Sequence, residues 1–166
     1  IGWNHHSINQ KRSNMSRKLI VMRHAKSSWN NPELADHDRP LNKRGKRDSP
    51  KIAEEISRRN WTPDLILLSS STRTRQTLDG MSNRFEGIIS DIRPGIYHGT
   101  VGDLLAELDD MVDDGTTMIL GHNPGSELLI KHLSGQWHSM PTASAALLVE
   151  SDGIWKVEDV LRPKEI

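Results

Sequence analysis

The fold class predicted for this chain is α/β: a three-layer sandwich with a mostly parallel central sheet and helices on both faces. Short runs at 19–22, 65–68 and 117–120 carry almost no polar residue, the pattern of strands buried on both sides. Segments of helical spacing stand between them, and that alternation gives a largely parallel sheet covered by helices. The first and third runs end alike, in Arg23-His24 and Gly121-His122. Open α/β sheets hold ligands outside the carboxyl ends of their strands, so both histidines are expected in one crevice.

The elements follow in order. After the first strand comes a long polar loop, 27–40, with Asn30-Asn31-Pro32 as a turn signal. A helix lies within 42–59, with Ile52, Ala53 and Ile56 on one face. Pro50 interrupts it in one of two ways: Ser49 caps a helix with Pro50 in its first position, or an earlier helix is kinked there. The run 65–68 breaks into Ser69-Ser70-Ser71-Thr72, whose hydroxyls cap a helix bearing Arg73, Thr77, Leu78 and Met81. Ile88, Ile89 and Ile92 mark a third strand, ended by Pro94-Gly95. Leu104, Leu105, Leu108 and Met111 mark an amphipathic helix. Beyond Gly125 a helix turns Leu128, Leu129 and Leu133 inward. A hairpin of 145–149 and 154–160 around Ser151-Asp152-Gly153 closes the chain.

At 166 residues the chain is one domain's worth, a size that buries roughly 70% of its unfolded surface. The domain is expected at 15–166. Residues 1–14 are polar and aperiodic, lack the apolar stretch of a secretory signal, and read as a disordered leader from an expression vector or an extended reading frame. Lys+Arg and Asp+Glu both number 22, which argues against nucleic acid or an anionic membrane as the main partner. The basic clusters Lys43-Arg44, Lys46-Arg47 and Arg58-Arg59 fall in helical patterns and read as solvated faces. No apolar stretch approaches the ~20 residues that span a bilayer. The absence of cysteine excludes disulfides, thiolate zinc sites and a cysteine nucleophile, and fits a cytoplasmic protein.

The chemistry lies in a conjunction. A neutral imidazole can attack phosphorus, giving a covalent phosphohistidine that splits one hard transfer into two easier ones. The transferred group carries its charge on equatorial oxygens, so the protein's task is mostly clamping, for which bidentate arginine is well shaped. Arg23 beside His24 is one clamp, Arg73 at a capped helix start is a second, and His122, if protonated in the complex, is a third. Each signal alone is weak; three strands delivering such residues to one edge is not. His5, His6, His132 and His138 lack a strand end and read as structural or exposed.

At these residues the sequence resembles the histidine phosphatase superfamily, the branched group that includes cofactor-dependent phosphoglycerate mutases. Arg23-His24-Ala25 matches two positions of its Arg-His-Gly hallmark, and Trp29-Asn30 falls where many members have that pair. The segment Arg39-Pro40-Leu41-Asn42-Lys43-Arg44-Gly45 resembles the family's Pro-Leu-Thr-x-x-Gly. Residues 69–77 resemble Ser-Pro-x-x-Arg-Ala-x-Gln-Thr, which singles out Arg73 over Arg75. Gly121-His122-Asn123-Pro124-Gly125 is similar to the second histidine motif of the SixA-type phosphohistidine phosphatases. The resemblance spans about 18–160 and implies a phosphoglycerate mutase-like fold. It implies His24 as the nucleophile, Arg23, Arg73 and His122 as phosphoryl-binding and catalytic partners, and Asn30 as a further donor. No metal and no cofactor are implied. Asp36-His37-Asp38 are consecutive loop residues without a spaced partner, which does not make a metal site.

Two departures from the family pattern matter. Ala25-Lys26 replace the usual Gly-Glu, and residues 91–102 contain no Glu to match the proton donor of the mutases and larger phosphatases. An alkoxide leaving group needs a positioned general acid, worth about 10²–10⁴-fold, whereas a phosphorylated histidine leaves as imidazole and needs less. The general acid is therefore unassigned. The leading expectation is a phosphohistidine phosphatase acting on a phosphorylated protein such as a phosphorelay domain. The alternatives are a phosphatase or mutase of small phosphomonoesters, and a non-catalytic phospho-binding module.

Overall fold

The computed structural model describes residues 16–166; the expectations for 1–14 lie outside them. Period-two alternation divides the strand side chains between two faces. In β1 (Arg17–Arg23), Ile20 and Met22 join a core with Ile52, Ala53 and Ile56 of α1 (Lys43–Arg58), while Leu19 and Val21 join a second core on the opposite face. The second core contains Leu104 of α4 (Val101–Glu107) together with Leu129 and Ile130 of α5 (Gly125–Ser134). The same alternation runs through β2 (Leu65–Leu68) and β4 (Gly115–Gly121), so helices cover both sides of the sheet. This is the three-layer α/β sandwich.

With β3 (Ile89–Ile92), β5 (Ala145–Ser151) and β6 (Ile154–Leu161), the six strands lie in the order β3-β2-β4-β1-β5-β6. The three pairs among β3, β2, β4 and β1 are parallel, and β1–β5 and β5–β6 are antiparallel. Register sets the site: Arg23 pairs with Gly121 and Leu68 with Leu120. The next residues, His24, Ser69 and His122, therefore emerge side by side at one edge.

Several elements differ from expectation in detail. α1 runs unbroken through Pro50, so Ser49 caps nothing; Asn42 is the cap, its side chain accepting from the Gly45 amide at 2.9 Å. The Ser49 hydroxyl instead donates to the Gly45 carbonyl. Tertiary packing of Ile52, Ala53 and Ile56 holds the helix together across the proline. Leu128, expected inward, is exposed, and Ile130 is buried in its stead. The 104–111 helix ends at Glu107 and continues as a 3-10 turn over Leu108–Asp110. β3 is an exposed edge strand, so Ile89 and Ile92 contribute pairing rather than core. The final hairpin turns on Asp152 and Gly153, both at positive φ, the backbone that a two-residue hairpin loop requires. Gly45 is needed for another reason: a Cβ there would collide with the Lys26 carbonyl, so only glycine lets α1 abut the loop after His24.

Candidate active site

The edge of β1, β2 and β4 opens into a cavity of about 210 Å³ lined by Arg23, His24, Arg73 and His122 together with Asp36, Arg39, His98 and Asn123. The four residues expected to act together are thus brought together. Asn30 is not among them: it is exposed and lines a separate depression near Asn42 and Lys43. Arg75, two positions along α2 (Thr72–Gly80), is exposed, whereas Arg73 is buried.

The backbone fixes His24 firmly. Its amide donates to the Gly121 carbonyl and its carbonyl accepts from Ala143, tying the β1 end to β4 and to the approach to β5. Its Nδ1 lies 2.7 Å from the Ala25 carbonyl. A carbonyl only accepts, so Nδ1 carries the proton and Nε2 holds the lone pair. The Ala25 amide donates to Thr77 Oγ1, and that hydroxyl donates to the Arg73 carbonyl, linking the His24 loop to α2. Ser71 caps α2, its side chain accepting from the Thr74 amide. His122 stands 5.2 Å from His24 between ring centroids, with Nε2 2.8 Å from Ser69 Oγ.

Asp36 organises the cations. Arg73 donates through Nη1 to its carbonyl at 2.7 Å and through Nη2 to Oδ2 at 3.0 Å. Arg39 donates to Oδ1 at 3.1 Å and to Ser27 Oγ at 2.6 Å, with its guanidinium 3.2 Å from the centroid of the Trp29 ring. Tyr97 donates its hydroxyl to Oδ2 at 2.7 Å. Arg23 donates to the Met140 carbonyl at 3.1 Å. Among the described residues, Arg23 Nε, Arg73 Nε and His122 Nδ1 are buried without a hydrogen-bond partner. Buried unsatisfied groups are costly, and all three belong to residues that line the cavity.

The electrostatics agree with that geometry. Burial, reinforced by the Arg73, Arg23 and Arg39 cations, pushes His24 down to about 4, so it is neutral at physiological pH. Burial, with His24, Arg73 and His98 adding to it, takes His122 down to about 3. The hydrogen bond from Tyr97, then those from Arg73 and Arg39, hold Asp36 well below the usual carboxylate range. Burial and the bond to Asp36 push Tyr97 up. The site therefore offers a neutral imidazole with a free nitrogen, surrounded by fixed positive charge, which suits attack on a phosphoryl group.

Asp36, Arg39, Tyr97 and Ser69 were not assigned roles from sequence. The signal for the first two was the length of the 27–40 loop, since loops that long inside a compact domain are usually functional. Asp36-His37-Asp38 supplies an anchor for arginines, and no group of acidic residues and histidines able to hold a metal occurs among the described residues.

The model of the histidine phosphatase superfamily (branch 1) matches residues 19–104, more than half of the chain. The chain belongs to the histidine phosphatase superfamily. A chloroplastic protein of Arabidopsis thaliana is 36% identical over 91% of this chain and 80% of its own length. A crystal structure from Agrobacterium tumefaciens, described as the phosphohistidine phosphatase SixA, superposes with a TM-score of 0.80 at 29% identity, covering 88% of this chain and 97% of that one. A phosphoglycerate mutase from Bacillus anthracis shares the fold alone, with a TM-score of 0.73 at 15% identity over 90% and 94% of the two chains. Among the described residues no helix is long and apolar enough to cross a membrane.

Proposed function

We propose that this protein is a metal-independent phosphatase working through a covalent phosphohistidine at His24, and that it dephosphorylates phosphohistidine on a protein. The observation that carries the reading is the state of the two groups that matter most. His24 is neutral with Nε2 unprotonated, and the cavity's carboxylate, Asp36, is locked ionised by three donors. The nucleophile is ready, and the cavity's one carboxylate cannot protonate a leaving group, so any proton must come from a donor other than a carboxylic acid. Nitrogen leaving groups, which depart more easily, suit such a site.

In the reaction, His24 Nε2 attacks phosphorus while Arg23, Arg73 and His122 hold the equatorial oxygens. Bound phosphoryl charge would draw a proton onto His122, since a nearby anion favours the imidazolium. Water then attacks the phosphohistidine and releases phosphate. The likeness to SixA-type structures supports the choice of phosphohistidine. One observation favours the second reading, small phosphomonoesters: a neighbouring cavity of about 320 Å³ with largely apolar walls could receive the body of a small substrate.

The test is rapid-quench trapping with phosphoramidate as donor, followed by a substrate panel. An acid-labile phosphoenzyme is expected in the wild type and not in His24→Ala, with turnover abolished at matched thermal stability. Phosphohistidine peptides and phosphoramidate should turn over fastest, nitrophenyl phosphate next and sugar phosphates slowest. Substantial activity in His24→Ala would sink the covalent route. Equal efficiency on a sugar phosphate would move the assignment to the second reading.

A further inference from the structure

We propose that His98 is the proton donor to the leaving group, an inference that rests on the covalent reading above and assigns the general acid that the sequence left open. His98 lines the phosphoryl cavity and also the neighbouring apolar cavity, where Ile96, Leu104 and Leu129 form part of the wall. A substrate with its phosphoryl group among the arginines and its remainder in the second cavity has its scissile bond beside this side chain.

The ring stacks against His122, 6.2 Å between centroids, and its Nε2 lies 3.5 Å from Asp36 Oδ2. The Asp36 carboxylate and the His122 ring thus fix where the imidazole sits, at the junction of the two cavities. His98 also holds a backbone φ of +53°, in the left-handed region that non-glycine residues rarely enter and that recurs at functional positions.

The other titratable groups around the two cavities are committed elsewhere. Asp36, in a 3-10 turn over Asp36–Asp38, carries no proton, and His122 at the end of β4 is tied to Ser69. Tyr97, beside His98 in the chain, donates its hydroxyl to Asp36. Asp103 closes the capping box of α4 with Thr100. Arg73 and Lys26 line the phosphoryl cavity but not the second one, and arginine does not release its proton.

The step balances. The bond from His24 Nε2 to phosphorus forms as the bond from phosphorus to the leaving oxygen or nitrogen breaks, and the His98 proton passes to that leaving atom. Neutral His98 then takes a proton from the water that attacks the phosphohistidine, and the electron pair of the breaking bond returns to the His24 ring.

Aryl phosphates graded from phenyl to dinitrophenyl are the probe, with kcat/KM reporting transfer to the enzyme. His98→Asn, which tolerates the left-handed backbone, is expected to lose roughly 10²-fold on phenyl phosphate and less than about threefold on dinitrophenyl phosphate. It should also erase the basic limb of the wild-type pH profile on phenyl phosphate. An equal loss along the series, or a basic limb that does not move, would overturn the proposal. His98→Gln carries the same test should His98→Asn fold poorly. Trapping of the phosphoenzyme at His24 is scored separately, so a failed covalent route and a failed proton donor give different results.

Discussion

At the carboxyl edge of β1, β2 and β4 the buried side chains include His24, Ser69, Arg73, Thr77 and His122; along β5 they are Ala145, Ala146, Leu147 and Leu148. Both regions belong to one sheet. In the hairpin, burial is apolar and the polar residues face outward, so the segment stabilises the fold and leaves no side-chain demand unmet along β5. At the edge, polar groups are buried, and several of their donors have no partner within the protein. Burying such groups costs stability unless something pairs with them. The contrast separates the part of the molecule that holds the sheet from the part proposed to hold an anion.

That separation can be attacked from its strongest point downward. Arg73→Ala should lower kcat/KM by about 10²–10³-fold, because it removes both a phosphoryl clamp and the main partner of Asp36. Double variants joining Arg73 with Arg23 or His122 should lose less than the sum of the singles, as members of one clamp do. In the hairpin, Leu148→Ala should cost about 2–5 kcal/mol of stability in denaturant titration while activity per folded molecule stays near wild type. A large fall in that activity would mean the two regions are coupled through the sheet.

A smaller effect separates them in pH. The folded protein keeps His24 and His122 neutral down to about 4 and about 3, whereas in the unfolded chain their ordinary value is 6.5. Their contribution to stability is therefore complete above pH 6.5 and is lost as pH falls toward 4, because the unfolded chain takes up protons first. His24→Gln should lose less stability than wild type over that window. The acid limb of kcat/KM should fall near pH 4; a limb near 6.5 would mean that His24 is not held neutral by its surroundings. The smallest effect belongs to Arg75→Ala, which should leave kcat/KM within about twofold, as surface substitutions away from a site usually do.

The sequence was most legible where periodicity and strand ends carried the information. Uninterrupted apolar runs located β1, β2 and β4, and the ends of the first and third led to His24 and His122, whereas Ser69 was read only as part of a helix cap. The hydroxyl cap placed Arg73 at a helix start, and the resemblance of 69–77 to the family motif singled it out over Arg75. What could not be read depends on tertiary pairing. Nothing local marks Asp36 as the anchor of Arg73, Arg39 and Tyr97, whose partners lie up to 61 positions away. Asn30 sits one residue from Trp29, which lines the cavity, yet lines a different depression, and a loop without regular geometry gives no rule for such a choice. Leu128 against Ile130 shows the same limit on a helix, where a small rotation exchanges inner and outer positions.

Trp29 is strongly exposed, at 72%, and among the described residues it is the tryptophan that lines the phosphoryl cavity. The guanidinium lying on its indole is the same one that reaches Asp36. An oxyanion in the cavity would compete with Asp36 for that guanidinium and so alter the charge above an aromatic ring. That geometry makes an optical test possible: the intrinsic fluorescence of one indole should register phosphate, vanadate or substrate without a label and before any bond is broken.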